Sequence, residues 1–166
     1  SDRDNMEDGD GNEIYGTAAD QDLLFVKASG NLTENQYASL SYEKREKEGE
    51  FSARPNWVVL EGAALYPSEA ERDTLVANYR LDYSAMVYLE ATAYNTSSSF
   101  RGGRFDWLAN IDTYGFDIRN TSETTNHVFT YGVDYRNDEV ESGPAEGAVE
   151  NAEEGSVLGV YAQAHS

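Results

Sequence analysis

Residues 129–139, FTYGVDYRNDE, alternate apolar and polar side chains with a period of two. Successive side chains of an extended strand point to opposite faces. Phe129, Tyr131, Val133 and Tyr135 therefore share an apolar, aromatic face, and Thr130, Gly132, Asp134 and Arg136 share a polar one. Six other segments repeat the pattern. Leu24, Val26 and Ala28 form the apolar set of 22–29, and Ala38, Leu40 and Tyr42 that of 36–45. Leu75, Ala77, Tyr79 and Leu81 do so in 73–83, and Val87, Leu89, Ala91 and Ala93 in 86–95. Tyr114, Phe116 and Ile118 follow in 110–120, then Leu158, Val160, Ala162 and Ala164 in 156–165. No segment predicts a long amphipathic helix. PSEAERD at 67–73 has a Pro-Ser start but falls in a predicted loop.

The connections alternate as well. Links around 31–35, 84–85 and 121–126 are short, whereas 46–72, 96–109 and 138–155 are long. Outer-membrane barrels have short turns at one end and longer loops at the other, joined by strands of about 10 residues. The pattern thus predicts an all-β, antiparallel up-and-down meander of about seven strands, part of a transmembrane β-barrel. Lys27, Glu43, Arg80, Asp82, Glu90, Asp117, Arg119, Asp134 and Arg136 fall on the polar faces. Small soluble barrels fill their interiors with apolar side chains. A charged face turned inward implies a wet lumen and an apolar face turned to lipid. Turned outward, the same face describes a complete small soluble barrel or sandwich that binds a small ligand or a protein partner. Alternation alone leaves both open. Closure separates them, because a complete barrel pairs its first and last strands.

Composition narrows the function classes. The chain has 166 residues, with 12 Lys and Arg against 31 Asp and Glu, a net charge of −19. Nucleic acid demands a basic surface and is excluded as a partner. A polybasic attachment to anionic lipid is excluded on the same ground. There is no cysteine, hence no disulfide framework or thiolate chemistry. No apolar run is long enough for a transmembrane helix. Twelve Tyr and only three Pro suit strands. Both termini read as interior to something longer, since the acidic start is no signal peptide and YAQAHS stops within an alternating pattern.

Three stretches carry a resemblance. Thr113–Gly115 gives a "TxG" strand core, 127–134 reads HVFTYGVD, and Tyr161–Gln163 closes a strand with "YxQ" after an acidic loop. Upstream, a strand pair opens into a large loop with Arg54 and Asn56 near its start. In this order and spacing the chain resembles the middle of the barrel in TonB-dependent outer-membrane receptors, nearest to the haem and siderophore-iron group. The resemblance spans nearly all of 1–166, read as one partial barrel domain. It implies a plugged barrel of 22 strands in the bacterial outer membrane that imports a ferric siderophore or haem. TonB would act through a plug domain that lies outside this chain, and lipid and lipopolysaccharide would surround the barrel. Leu40, Tyr42, Leu75, Tyr79, Leu89, Phe116, Ile118, Phe129, Tyr131, Val133, Tyr135, Leu158 and Val160 would then face lipid. Loop aromatics and arginines would capture the ligand: Phe51, Arg54, Trp57, Tyr66, Phe100, Arg101, Arg104 and Phe105. Trp107 suits either that role or a membrane-interface girdle.

Other motifs point to no chemistry. DGDGNE at 8–13 places Asp8 and Asp10 at EF-hand positions three and five but fails at both ends, leaving a solvated turn. His127 and His165 fall at strand ends, and Tyr66 is the one loop phenol suited to a haem iron. No nucleophile elbow exists, so no enzyme is expected and no resident cofactor is called for. The acidic run 138–154 reads as a solvated loop, and Arg101–Arg104 as a loop tip.

Overall fold

The computed structural model describes residues 2–52 and 61–166. It is all-β, with one sheet in strict sequence order. A two-residue strand β1 (Asp2–Arg3) precedes seven long ones: β2 (Ala19–Thr33), β3 (Gln36–Ser52), β4 (Leu65–Ser84), β5 (Val87–Gly102), β6 (Trp107–Glu123), β7 (Val128–Pro144) and β8 (Asn151–His165). Every neighbouring pair is antiparallel. The expected seven-stranded meander is therefore present, but its strands run 15 to 20 residues, well beyond the 10 expected.

The extra length comes out of the predicted long connections. Residues 46–52 extend β3, and 65–72 open β4, including the PSEAERD stretch. Residues 96–102 extend β5, and the acidic run contributes 138–144 to β7 and 151–154 to β8. Links of 34–35, 85–86 and 124–127 lie at one end of the sheet, and 103–106 and 145–150 at the other. Pro67 is tolerated because β5 pairs with β4 only as far as Ser68, so one flank of β4 is already an edge there.

The register assigns the faces. Residues directly opposite each other across an antiparallel pair project to the same side. One cross-strand row reads Ala38, Tyr79, Ala91, Ile118, Val133 and Val160; the next reads Leu40, Ala77, Ala93, Phe116, Tyr135 and Leu158. A third carries Tyr42, Leu75 and Tyr114, and a fourth Leu89 and Tyr131. With Phe129 one row further, all thirteen residues expected on the apolar face share it. Phe116 stacks on Tyr135 at 5.8 Å, with Tyr114 6.2 Å from the same ring. From Phe129 to Asn137 this belt covers about 26 Å along the strands, at about 3.3 Å per residue.

None of the described residues covers the belt. No apolar residue is buried among the described residues, and Val160 is 81% exposed. Among the described residues the sheet is open: β8 has no outer neighbour, and β2 has only β1, at Ala19 and Asp20. Antiparallel alternation makes β2 and β8 run in the same direction. Joining them would require a parallel pair, so these seven strands cannot close on themselves as an all-antiparallel ring.

The short-link end is laced by backbone and side-chain hydrogen bonds. Asp82 N donates to Asn35 O at 2.9 Å and Glu123 N to Ala85 O at 2.5 Å. Asn120 Nδ2 and Ser122 Oγ both donate to Met86 O, at 3.1 and 2.8 Å. These bonds tie each turn to the next strand and fix the register of the belt.

Candidate functional site

On the polar face beside the belt, charges are matched both across strands and along one. Arg119 Nε lies 2.9 Å from Glu90 Oε2, and Arg136 Nε lies 2.8 Å from Asp138 Oδ2. Tyr161 Oη donates to Asp117 Oδ2 at 3.0 Å, while Thr92 Oγ1 donates to Asn78 Oδ1 at 3.0 Å. The Arg80 guanidinium lies 5.3 Å from the centre of the Tyr37 ring. This face is a hydrogen-bonded polar wall. Glycines opposite tyrosines let the rings lie flat against it: Tyr94 lies over Gly115, and Tyr161 over Gly132.

Beyond the belt, toward the 103–106 and 145–150 links, the two faces diverge in charge. The belt side turns acidic. Asp20, Glu48 and Glu69 form one cross-strand row, and Asp22, Glu46 and Glu71 the next. Asp112, Glu139 and Glu154 fall in a third row with Lys44 and Asp73. The cations here are engaged. Lys44 Nζ lies 2.8 Å from both Glu46 and Glu71. Arg101 Nε and Nη2 grip the two oxygens of Asp106 at 2.8 and 2.7 Å.

The polar side turns basic and aromatic. Arg45 and Arg72 stand directly opposite each other, with Lys47 one row further out. Phe100, Phe51, Tyr66, Trp107 and Ile111 project from the same face. Arg45 has one long ion pair, 3.5 Å to Glu43. Arg72 Nε donates to Ser98 Oγ at 3.2 Å, and the Lys47 ammonium lies 4.9 Å from the centre of the Phe51 ring. Neither Arg72 nor Lys47 has an ion pair among the described residues. The three cations, Phe100 and Ile111 line an open cavity of about 380 Å³, and a separate acidic cleft of about 690 Å³ lies between the N-terminal segment and β2–β4.

Of the expected ligand-contacting residues, Phe51, Tyr66 and Phe100 fall in this patch. Trp107 is on the same face, pairing across β5 with Gly102. Arg101 is on the other face. Arg104 and Phe105 form a cation–π pair at the exposed tip, 5.6 Å from guanidinium to ring centre. Arg54, Asn56 and Trp57 lie outside the described residues. Arg45, Lys47 and Arg72 were not singled out by their sequence context, yet they supply the patch's charge. His165 pairs with Val128 across β7–β8, and His127 ends the preceding link, so both lie at the short-link end, far along the strands from the patch. Among the described residues no cluster suits a metal ion. Asp8 instead accepts from the backbone N–H groups of Asp10 and Asn12, at 2.9 and 2.8 Å, as a turn-closing carboxylate.

The Arg101 clasp closes the 103–106 turn, where Asp106 takes a positive φ of 47°. The bidentate guanidinium holds the Asp106 carboxyl below its ordinary value of 3.8. A depressed folded value means that the contact contributes above the unfolded value and is lost as pH falls through the folded one. A carbon-13 titration of Asp106 is expected to give a midpoint below 3.8, and Arg101→Gln to return it toward that value.

Comparison with models of known protein families finds no match, and a search of curated proteins finds no similar sequence either.

Proposed function

We propose that this chain is a segment of an outer-membrane β-barrel and belongs to a TonB-dependent receptor that imports an iron complex. The observation that carries this reading is the continuous apolar belt on a single-layer sheet with no buried apolar residue among those described. In water such a surface has nothing to cover it. In a bilayer, lipid covers it; the inner strands β3–β7 pair their backbone groups within the sheet, and the free flanks of β2 and β8 call for further strands. A strand tilt of about 40° gives the belt a height of about 20 Å, to which the rim side chains add, near the roughly 25 Å apolar band of such barrels. The polar wall would then line the lumen.

The direction of β2 and β8 supports further strands from elsewhere in a larger barrel. The motif order at 113–115, 127–134 and 161–163 supports the receptor family within that class. Ligand capture would fall to the outer half of the polar face and its loops. Ferric siderophore or haem is the ligand class implied, TonB the energy-coupling partner through a plug domain, and lipid and lipopolysaccharide the surroundings. The open sheet and bare belt weigh against the rival soluble barrel or sandwich, which needs closure or a second layer.

Refolding separates the two readings. The chain is expected to gain β circular dichroism and heat-modifiable gel mobility only when uncharged micelles are present. A compact, monomeric β-species in plain buffer would sink the membrane reading.

A further inference from the structure

We propose that the outer half of the polar face is an anion site, in which Arg45, Arg72 and Lys47 recognise the carboxylates of a polycarboxylate ligand. This deepens the receptor reading and rests on it for the ligand's route, but the site itself is defined by the sheet. The chain carries −19, and its acid in this region is concentrated on the opposite face. The three cations are gathered where few carboxylates reach them.

Like charges placed directly opposite across strands repel, and Arg45 and Arg72 are such a pair. Their Cα atoms are about 5 Å apart by antiparallel geometry, and Lys47 lies about 7 Å further along β3. Elsewhere cations have close carboxylates, Glu90 2.9 Å from Arg119 across the strands and Asp138 2.8 Å from Arg136 along β7, whereas Arg45 has Glu43 at a longer 3.5 Å. Here, among the described residues, the one carboxylate lining the cavity is Glu71, which Lys44 engages at 2.8 Å. A bound anion bearing several carboxylates would relieve the repulsion, because each guanidinium offers a planar fork matched to a carboxylate. Phe100 and Ile111 give the cavity of 380 Å³ an apolar wall for the ligand's body. The site therefore selects an anion, and no imidazole is among the lining residues to ligate an iron directly.

The test is a calorimetric titration of the micelle-refolded chain with citrate, and separately with inorganic phosphate, in a chloride background. One saturable citrate site is expected, weakened tenfold or more by Arg72→Glu. That substitution pairs with Arg45 across the strands, so it removes the site without leaving a like-charge clash. Arg101→Gln, on the opposite face, is expected to leave citrate affinity unchanged. If Arg72→Glu fails to fold, Lys47→Gln at an exposed position is expected to give the same direction of loss. Absence of citrate binding by the folded chain, phosphate binding as tight as citrate, or full citrate affinity in the site variants would each overturn the proposal. Circular dichroism of every sample scores folding separately. A chain that folds in buffer without micelles overturns the receptor reading, and the same titration in buffer then decides the anion site.

Discussion

An arginine in place of Val133 is expected to lower the folded population in phospholipid vesicles by about 30- to 900-fold. Val133 sits in the middle row of the belt, between Ile118 and Val160. A basic side chain near the midplane of a barrel's lipid face costs about 2–4 kcal/mol, and about 1.4 kcal/mol is a factor of ten. The neighbouring substitution Asp134→Arg is the internal control. Asp134 faces the other way and stands opposite Asp117, so a cation there removes a like-charge pair and is expected to be neutral or stabilising. Urea titration of vesicle-folded protein, followed by the gel-mobility shift, measures both. Equal losses at the two positions would mean that the two faces meet the same environment.

Adding a side chain at Gly115 is the second large effect. An added Cβ would stand 2.5 Å from the Tyr135 carbonyl oxygen and 2.6 Å from the Tyr94 hydroxyl. The tyrosine can swing away, but the carbonyl belongs to the strand ladder. Gly115→Val is therefore expected to cost about 1–3 kcal/mol, the usual range for overpacking. The variant Tyr94→Ala in the same chain should recover only part of that loss. Full recovery would show that the ring alone, and not the backbone, requires glycine at this position. Gly132 has the same arrangement under Tyr161, with the Ile118 carbonyl as the fixed obstacle.

Both effects depend on which way a side chain points, and in the middle of the strands the sequence already shows this. Val133 and Asp134 are assigned to opposite faces by period alone. All seven long strands are legible for that reason, since apolar residues alternate with polar ones wherever the belt runs. The strand ends are not. In EKREKEGE at 43–50, both faces are polar, so no apolar period exists to detect. Over 45–50 the alternation is one of charge sign: Glu46, Glu48 and Glu50 point one way, Arg45 and Lys47 the other. Counting only hydrophobicity assigns such a stretch to a loop, and the acidic run 138–144 is misassigned the same way.

The candidate site was legible in part. Phe51, Tyr66 and Phe100 attract notice as aromatics near predicted loops, and the structure gathers them on one face. Arg101 and Phe100 are adjacent in sequence, yet their opposite directions put Arg101 into the clasp with Asp106. Arg45, Lys47 and Arg72 sit among acidic neighbours and read locally as solvated ion pairs.

By itself the sequence determined the class of fold, the face carried by each belt residue and the order of the strands. Those follow from local geometry: a two-residue period and turns between consecutive strands. Only the tertiary structure decided the register. That register placed Arg45 against Arg72, separated acid from base across one sheet, and left β2 and β8 parallel in direction and unpaired with each other. Register joins residues far apart in the chain through backbone hydrogen bonds, which are the same for every side chain and leave little trace in any one segment.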